Sequence, residues 1–187
     1  MASEVDIANI ALRRCSAGSV ESLSEESEEA AIVSDLWDAL LDEVMQSGTW
    51  TFATTTEELA QEATAASEEF DYSYALPSDC LQLLTAIDAL SDEYEINGDS
   101  IVTDLDTFKI KYVQRVTDTS RFSSKFVDAF AYRLAADIVL SLTGKVDRHR
   151  DMLNLYNQSL RKAFQLDKSQ NRRSSPKKFT KLRDSRS

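Results

Sequence analysis

Glycine, proline, cysteine and histidine are all scarce in this sequence, and each shortage removes a class of function. Its 187 residues include four glycines, two prolines, two cysteines and one histidine. The glycines stand singly at boundaries and turns, which excludes a glycine-rich loop cradling phosphate. One histidine, His149, leaves a zinc site or a Ser-His-Asp arrangement short of nitrogen donors, and no nucleophile-elbow motif accompanies it. It falls on an apolar helical stripe, the setting of a hydrogen-bonded structural histidine. Cys15 and Cys80 are too few and too far apart for a disulfide framework, so both are expected as reduced thiols. No stretch approaches the roughly 20 apolar residues that span a bilayer, and "MASEVDIANIALRRC" lacks the basic start and apolar run of a secretory signal. With 42% hydrophobic residues the chain is expected to fold, mostly as helix.

Positive charge is also scarce, and it is unevenly placed. The formal net charge is −11, yet Lys168 to Ser187 carry eight basic residues against one acid, Asp184. Residues 1–167 therefore hold −18. Such a split implies an acidic body and a basic arm with different partners. The arm lacks an apolar stripe and is expected to be flexible by itself, with Phe179 and Leu182 as apolar anchors among its charges. With 32 acids present, pairs of carboxylates suited to glycoside hydrolysis are unavoidable and select nothing. Glu25, Glu26, Glu28 and Glu29 read as a solvated first helical turn, and Arg133 with Asp137 as an ordinary ion pair four residues apart.

Periodicity organises the rest. Ser3 caps a first helix with Asp6 three residues on; Val5, Ala8, Leu12 and Cys15 form its stripe, and Gly18 is expected to end it. A second helix is expected from Ser22 or Ser24, with Ala30, Val33, Trp37, Leu40 and Val44 inward and Gly48 at its close. "TWTFATTT", "FDYSYALP" and "FKIKYVQRV" favour strands, and Asn97-Gly98 supplies the positive φ angles of a tight hairpin. "EELAQEATAASEE" reads as a loop or short helix. From Ser120 the helical period returns through Phe122, Phe126, Phe130, Leu134, Ile138 and Leu142 to Gly144. A fourth helix then carries Val146, His149, Leu153, Tyr156, Leu160 and Ala163 to about Phe164. Trp37 and Trp50 read as core or boundary residues. These elements predict an α+β, mainly α fold: a four-helix bundle with a small β-sheet module inserted between its second and third helices. The divisions are 1–48, first helical pair; 49–119, β-rich module; 120–167, second helical pair; and 168–187, basic arm.

The order of "MASEVDIANIALRRC", "SGTWTFAT", "YALPSDCLQLL", "YEINGDSIVTD" and "YVQRVTD", closed by a helical pair, resembles the head-to-tail adaptor proteins of short-tailed bacteriophages. These are also called tail tubular protein A or head-completion proteins. The similarity covers roughly residues 3 to 145, with Trp50-Thr51-Phe52 and Tyr74-Ala75-Leu76-Pro77 as its most specific words. Where many relatives have tryptophan before the second word, this chain has Phe70. The resemblance implies a structural virion protein without cofactor or catalytic role, at the head-tail junction after assembly in the host cytoplasm. It implies a ring of twelve copies between the portal protein and the tail nozzle protein, through which DNA passes without sequence-specific binding. Arg172, Arg173, Lys177, Lys178, Phe179, Lys181, Leu182 and Arg183 would dock on the portal. Asn97, Gly98, Asp99 and Ser100 would face the tail nozzle. An acidic body around a channel would keep packaged DNA sliding. Phe126 and Phe130, toward the edge of their stripe, are expected to pack between ring neighbours.

Two other readings belong to different classes. A nucleic-acid-binding regulator would use the arm on phosphates, with steep salt dependence. A cell-wall glycan hydrolase would need two indispensable carboxylates, and the sequence selects none.

Overall fold

The computed structural model describes residues 2–62, 69–87, 89–90 and 93–174, the last eight of these by backbone alone. The fold is α+β, with four α-helices and two small antiparallel three-stranded sheets among the described residues. In chain order these are α1 (Glu4–Cys15), α2 (Glu28–Gln46), β1 (Thr54–Glu58), β2 (Tyr72–Ala75), β3 (Cys80–Ile87), β4 (Tyr94–Asn97), β5 (Ser100–Thr103), β6 (Lys109–Gln114), α3 (Ser124–Thr143) and α4 (Val146–Ser174). A single 3-10 turn, Thr119–Arg121, leads into α3.

Local chemistry accounts for most of the boundaries. Ser3 and Asp6 form a reciprocal capping box at α1, each side chain accepting from the other's amide. Helix α1 ends before Gly18, because Ser16 itself takes the left-handed conformation at φ 59° and its amide closes on Arg13 and Leu12. Helix α2 starts later than Ser22 or Ser24. Glu25 accepts from the amides of Glu21 and Ser22 and from the Ser27 hydroxyl, holding that stretch as a turn, and Ser27 caps the helix. Gly144 ends α3 at φ 64°, as its sequence predicts. Helix α4 runs ten residues past Phe164, since no helix breaker occurs before Pro176 and the intervening Gln, Leu, Lys and Arg are good helix formers.

Helix α3 is the hub, packing against α1, α2 and α4. It runs antiparallel to α4, since Ala136 meets His149 and Asp128 meets Ser159. It runs parallel to α1, since the Cys15 thiol donates to Ala135 while Ala2 and Phe122 line a common cavity. The N-termini of α1 and α3 and the C-terminus of α4 therefore point the same way.

The sheets, in order β1-β6-β3 and β2-β5-β4, form two further layers. Strand β6 shows how. Lys109 and Lys111 alternate with buried Ile110 and Tyr112, as the sequence predicts, and Ile110 and Tyr112 join a small core with Leu59, Tyr74, Ile101 and Phe108. Val113 on the opposite face enters the helical core, followed there by Val116. Strand β3, which carries no clear alternation in the sequence, straddles both cores: Leu81 and Leu84 pack on the helices, Cys80 and Leu83 on the smaller core. Two register irregularities let it do so. Trp50 and Phe52 precede strand β1 in a turn, and the strand begins only at Thr54.

Candidate partner-docking surfaces

Phe126 and Phe130 do not lie at an exposed edge. Both are completely buried within the chain. Phe126 meets Trp50 edge-on at 4.9 Å between ring centroids and also touches Phe52 and Phe122; Phe130 meets Trp37 at 5.0 Å. The Trp50–Ala53 turn and α4 cover the side of α3 that the stripe pattern leaves open. The two rings are therefore spent on contacts within the chain.

The hairpin residues are placed outward. Asn97, Gly98 and Asp99 are exposed and Ser100 is half-buried. Asn97 pairs with Ser100, so the two turn residues are Gly98 and Asp99 rather than Asn97 and Gly98. Gly98, at φ 61°, supplies the positive angle at the first turn position, and Asn97 has none. The turn is braced rather than free: Leu76 donates to the Asp99 carbonyl, and the Ser100 and Ser73 hydroxyls both donate to the Glu62 carboxylate. Ile96, 56% exposed on β4, gives this end of the module an apolar spot.

The basic arm is only partly in view. Arg172 and Arg173 lie on the last turn of α4, so the arm begins as helix and not at Lys168 as a flexible segment. Lys177, Lys178, Phe179, Lys181, Leu182 and Arg183 lie outside the described residues, as do residues 63–68 of the "EELAQEATAASEE" stretch, whose first two residues end strand β1 instead of opening a loop or helix.

The polar clusters act as ties between elements. Arg14 clasps Asp128 through its side chain and carbonyl, lies 3.5 Å over the Tyr132 ring, and shares Asp128 with the Ser159 hydroxyl, joining α1, α3 and α4. Arg133 holds Glu43 at 2.8 Å and Asp137 at 2.9 Å, so the expected Arg133–Asp137 pair forms and extends to α2. His149 Nδ1 lies 2.9 Å from the Ala136 carbonyl oxygen, the structural role its position predicts. Arg115 bridges Asp38 and Asp42 on α2. Tyr112 sets its hydroxyl between Glu57 at 2.9 Å and Asp79 at 3.2 Å. Burial and then these acceptors raise the phenol well above the ordinary tyrosine value, so it keeps its proton and ties β1 to the turn before β3. Asn9 hydrogen-bonds both backbone groups of Val20, a tie with no sequence signature.

Among the described residues no group of three or more His, Cys, Asp or Glu is placed to hold a metal, and no helix is long and apolar enough to cross a membrane. Open grooves among the described residues include two beside α1. One, of about 580 Å³, is lined by Glu4, Val5, Leu23, Trp37, Asp38 and Thr117, among others. The other, of about 530 Å³, lies between α1 and α3 beside Arg14. No protein-family model matches the sequence, and no significant match occurs among curated proteins.

Proposed function

We propose that this protein is a structural head-to-tail adaptor of a short-tailed phage, its four helices acting as a bundle that carries the inserted β module. In this reading copies assemble in a ring around the DNA channel. The C-terminal segment docks on the portal, and the Gly98–Asp99 hairpin end of the module faces the tail nozzle. The observation that carries it is the course of α4: its last ten residues run past Phe164, its last apolar residue packed on the helical core, and lead into a segment with net charge +4 over residues 175–187. A rigid stalk with a basic end suits capture of an acidic protein surface at a distance from the body. The −18 of residues 1–167 opposes a tight grip on DNA.

The test is to mix the full chain with a purified portal ring and image the product. A ring of copies on the portal, lost when residues 175–187 are deleted, is the expected result. No ring on the portal overturns the adaptor reading, and an intact ring after the deletion overturns the role of the arm. Tail-dependent duplex binding with a steep salt dependence would shift the assignment to a nucleic-acid binder.

A further inference from the structure

Two surfaces of the described chain differ in chemistry and complement each other. The first is the groove between the start of α1 and α2. Its floor is apolar, with Trp37 8% exposed and Val5 and Leu23 half-buried. Its rim carries Glu4 and Asp38; Asp38 is paired with Arg115 at 2.9 Å, yet 78% of its side chain stays exposed. Glu21, Glu26 and Asp35, all exposed, add charge of the same sign on the turn and helix that form the groove. The second surface is a flank of α4. Leu155, Lys162 and Leu166 are spaced by seven and four residues, which puts them on one side of a helix. Leu155 is 37% and Leu166 46% exposed, Lys162 and its neighbour Arg161 are exposed, and residues 155–166 contain no acid.

We propose that copies of this chain associate through these two surfaces, the Leu155–Leu166 flank of one lying in the α1–α2 groove of the next. The two leucines face Trp37, and Lys162 meets Glu4 and Asp38, a helix laid in a groove with charge matching at its rim. The assignment rests on the proposed ring for its closure, and it gives ring neighbours a meeting place that needs neither Phe126 nor Phe130.

The occupant is a second copy, because the chain's own α4 is held elsewhere. Tyr156 and Ala163 bury α4 in the helical core and Phe164 packs against it, whereas the described lining of the groove comes from α1, the turn before α2, α2 and Thr117. Groove and flank are different patches, so the contact is heterologous, and such contacts close into rings or run on as filaments. A contact of a few side chains is weak between two copies; closure, in which every copy makes it twice, strengthens it. The groove beside α3 is the poorer host. Its walls contain Arg14, and Lys125 and Arg121 lie exposed nearby, so it repels a basic flank.

Carbodiimide, which joins a lysine amine to a carboxylate paired with it, tests the contact on the full chain without a portal, at about 0.1 mM to suit a weak association. With labelled and unlabelled copies mixed equally, the peptide holding Lys162 should be found joined to one holding Glu4 or Asp38, about half of the product pairing a labelled with an unlabelled peptide. In sedimentation, E4K/D38K and R161E/K162E should each lose the associated species severalfold. Mixed together they should regain it, since the exchanged charges again oppose; melting curves confirm that both variants fold. Absence of the mixed-label product, linkage of Lys162 to another surface, or no recovery on mixing overturns the contact. A ring on the portal without this cross-link leaves the adaptor reading standing and the contact fallen, and the cross-link with no ring on the portal does the reverse.

Discussion

The helical part and the β module hold together by different means. Around α3 the core is broad and aromatic: Trp37, Trp50, Phe126 and Phe130 interlock in its interior, and charged residues form ties at its rim. Among the described residues the module has a buried core of six, with carboxylates doing part of the joining, Glu62 between Ser73 and Ser100 and Glu57 with Asp79 on Tyr112. A core that small does not support an independent domain. The sheet β1-β6-β3 solves this by lending Val113, Leu81 and Leu84 to the helical core. Stability should therefore reside in the helices, while the outer sheet β2-β5-β4 opens first.

The largest break in that contrast comes from Trp50. It is 1% exposed, donates its indole N–H to the Val44 carbonyl at 2.9 Å, and contacts Phe52, Phe126 and Phe164. Replacing it with alanine removes the piece where α2, α3, α4 and the start of the module meet. Trp50→Ala should cost about 4 kcal/mol, a large share of the 5–15 kcal/mol typical of a domain. Urea unfolding followed by circular dichroism should show the midpoint collapse; a shift of under about 1 kcal/mol would show that the helices do not depend on this cluster.

Titration separates the two regions more gently. Burial lifts the Cys15 thiol on α1 from 9.0 to about 11, against a smaller opposing pull from the Val139 backbone and from the arginines Arg148 and Arg14. Between those values the unfolded chain gives up a proton that the folded chain keeps. Stability is therefore untouched below about pH 9 and falls as pH rises toward 11, by about 2–3 kcal/mol in full at 1.36 kcal/mol per pH unit. Burial also raises the phenols of Tyr74 and Tyr112 in the module and Tyr156 on α4, adding a decline that starts near their ordinary value of 10.0. Unfolding midpoints from pH 8 to 11 in the parent and in Cys15→Ala distinguish the two. The loss between pH 9 and 10 should vanish in the variant, and the loss above 10 should persist. An unchanged slope below pH 10 would mean that the thiol titrates no differently in the fold.

What the sequence made legible follows from how local each signal is. The capping box at Ser3, the stop at Gly144 and the alternation of β6 depend on neighbours within a few residues, and all three are where the pattern puts them. Helix α2 starts later than its first serines suggest because Glu25 captures the amides of its own turn, and α4 runs past Phe164 because no proline or glycine interrupts it before Ser174. Strand β3 and the burial of Phe126 and Phe130 escaped for a different reason. Each is decided by elements distant in the chain, so a single-face reading of α3 could not anticipate the wall supplied by α4 and the Trp50 turn. The two grooves are longer-range still: Glu4, Leu23, Asp38 and Thr117 share no spacing that a sequence pattern could reveal.

The smallest effect tests whether the module can loosen by itself. Gly98 holds φ 61° at the β4–β5 turn, and a Cβ added there would meet nothing within 4 Å. Gly98→Ala therefore isolates the backbone cost of a left-handed conformation, about 1 kcal/mol. If the outer sheet opens separately from the helices, amides of β4 and β5 should exchange with solvent about fivefold faster, while those of α1 and α3 keep their protection. Equal acceleration in both places would show that helices and sheets form one cooperative unit. In that case the hairpin end facing outward would be as rigid as the helical core that carries it.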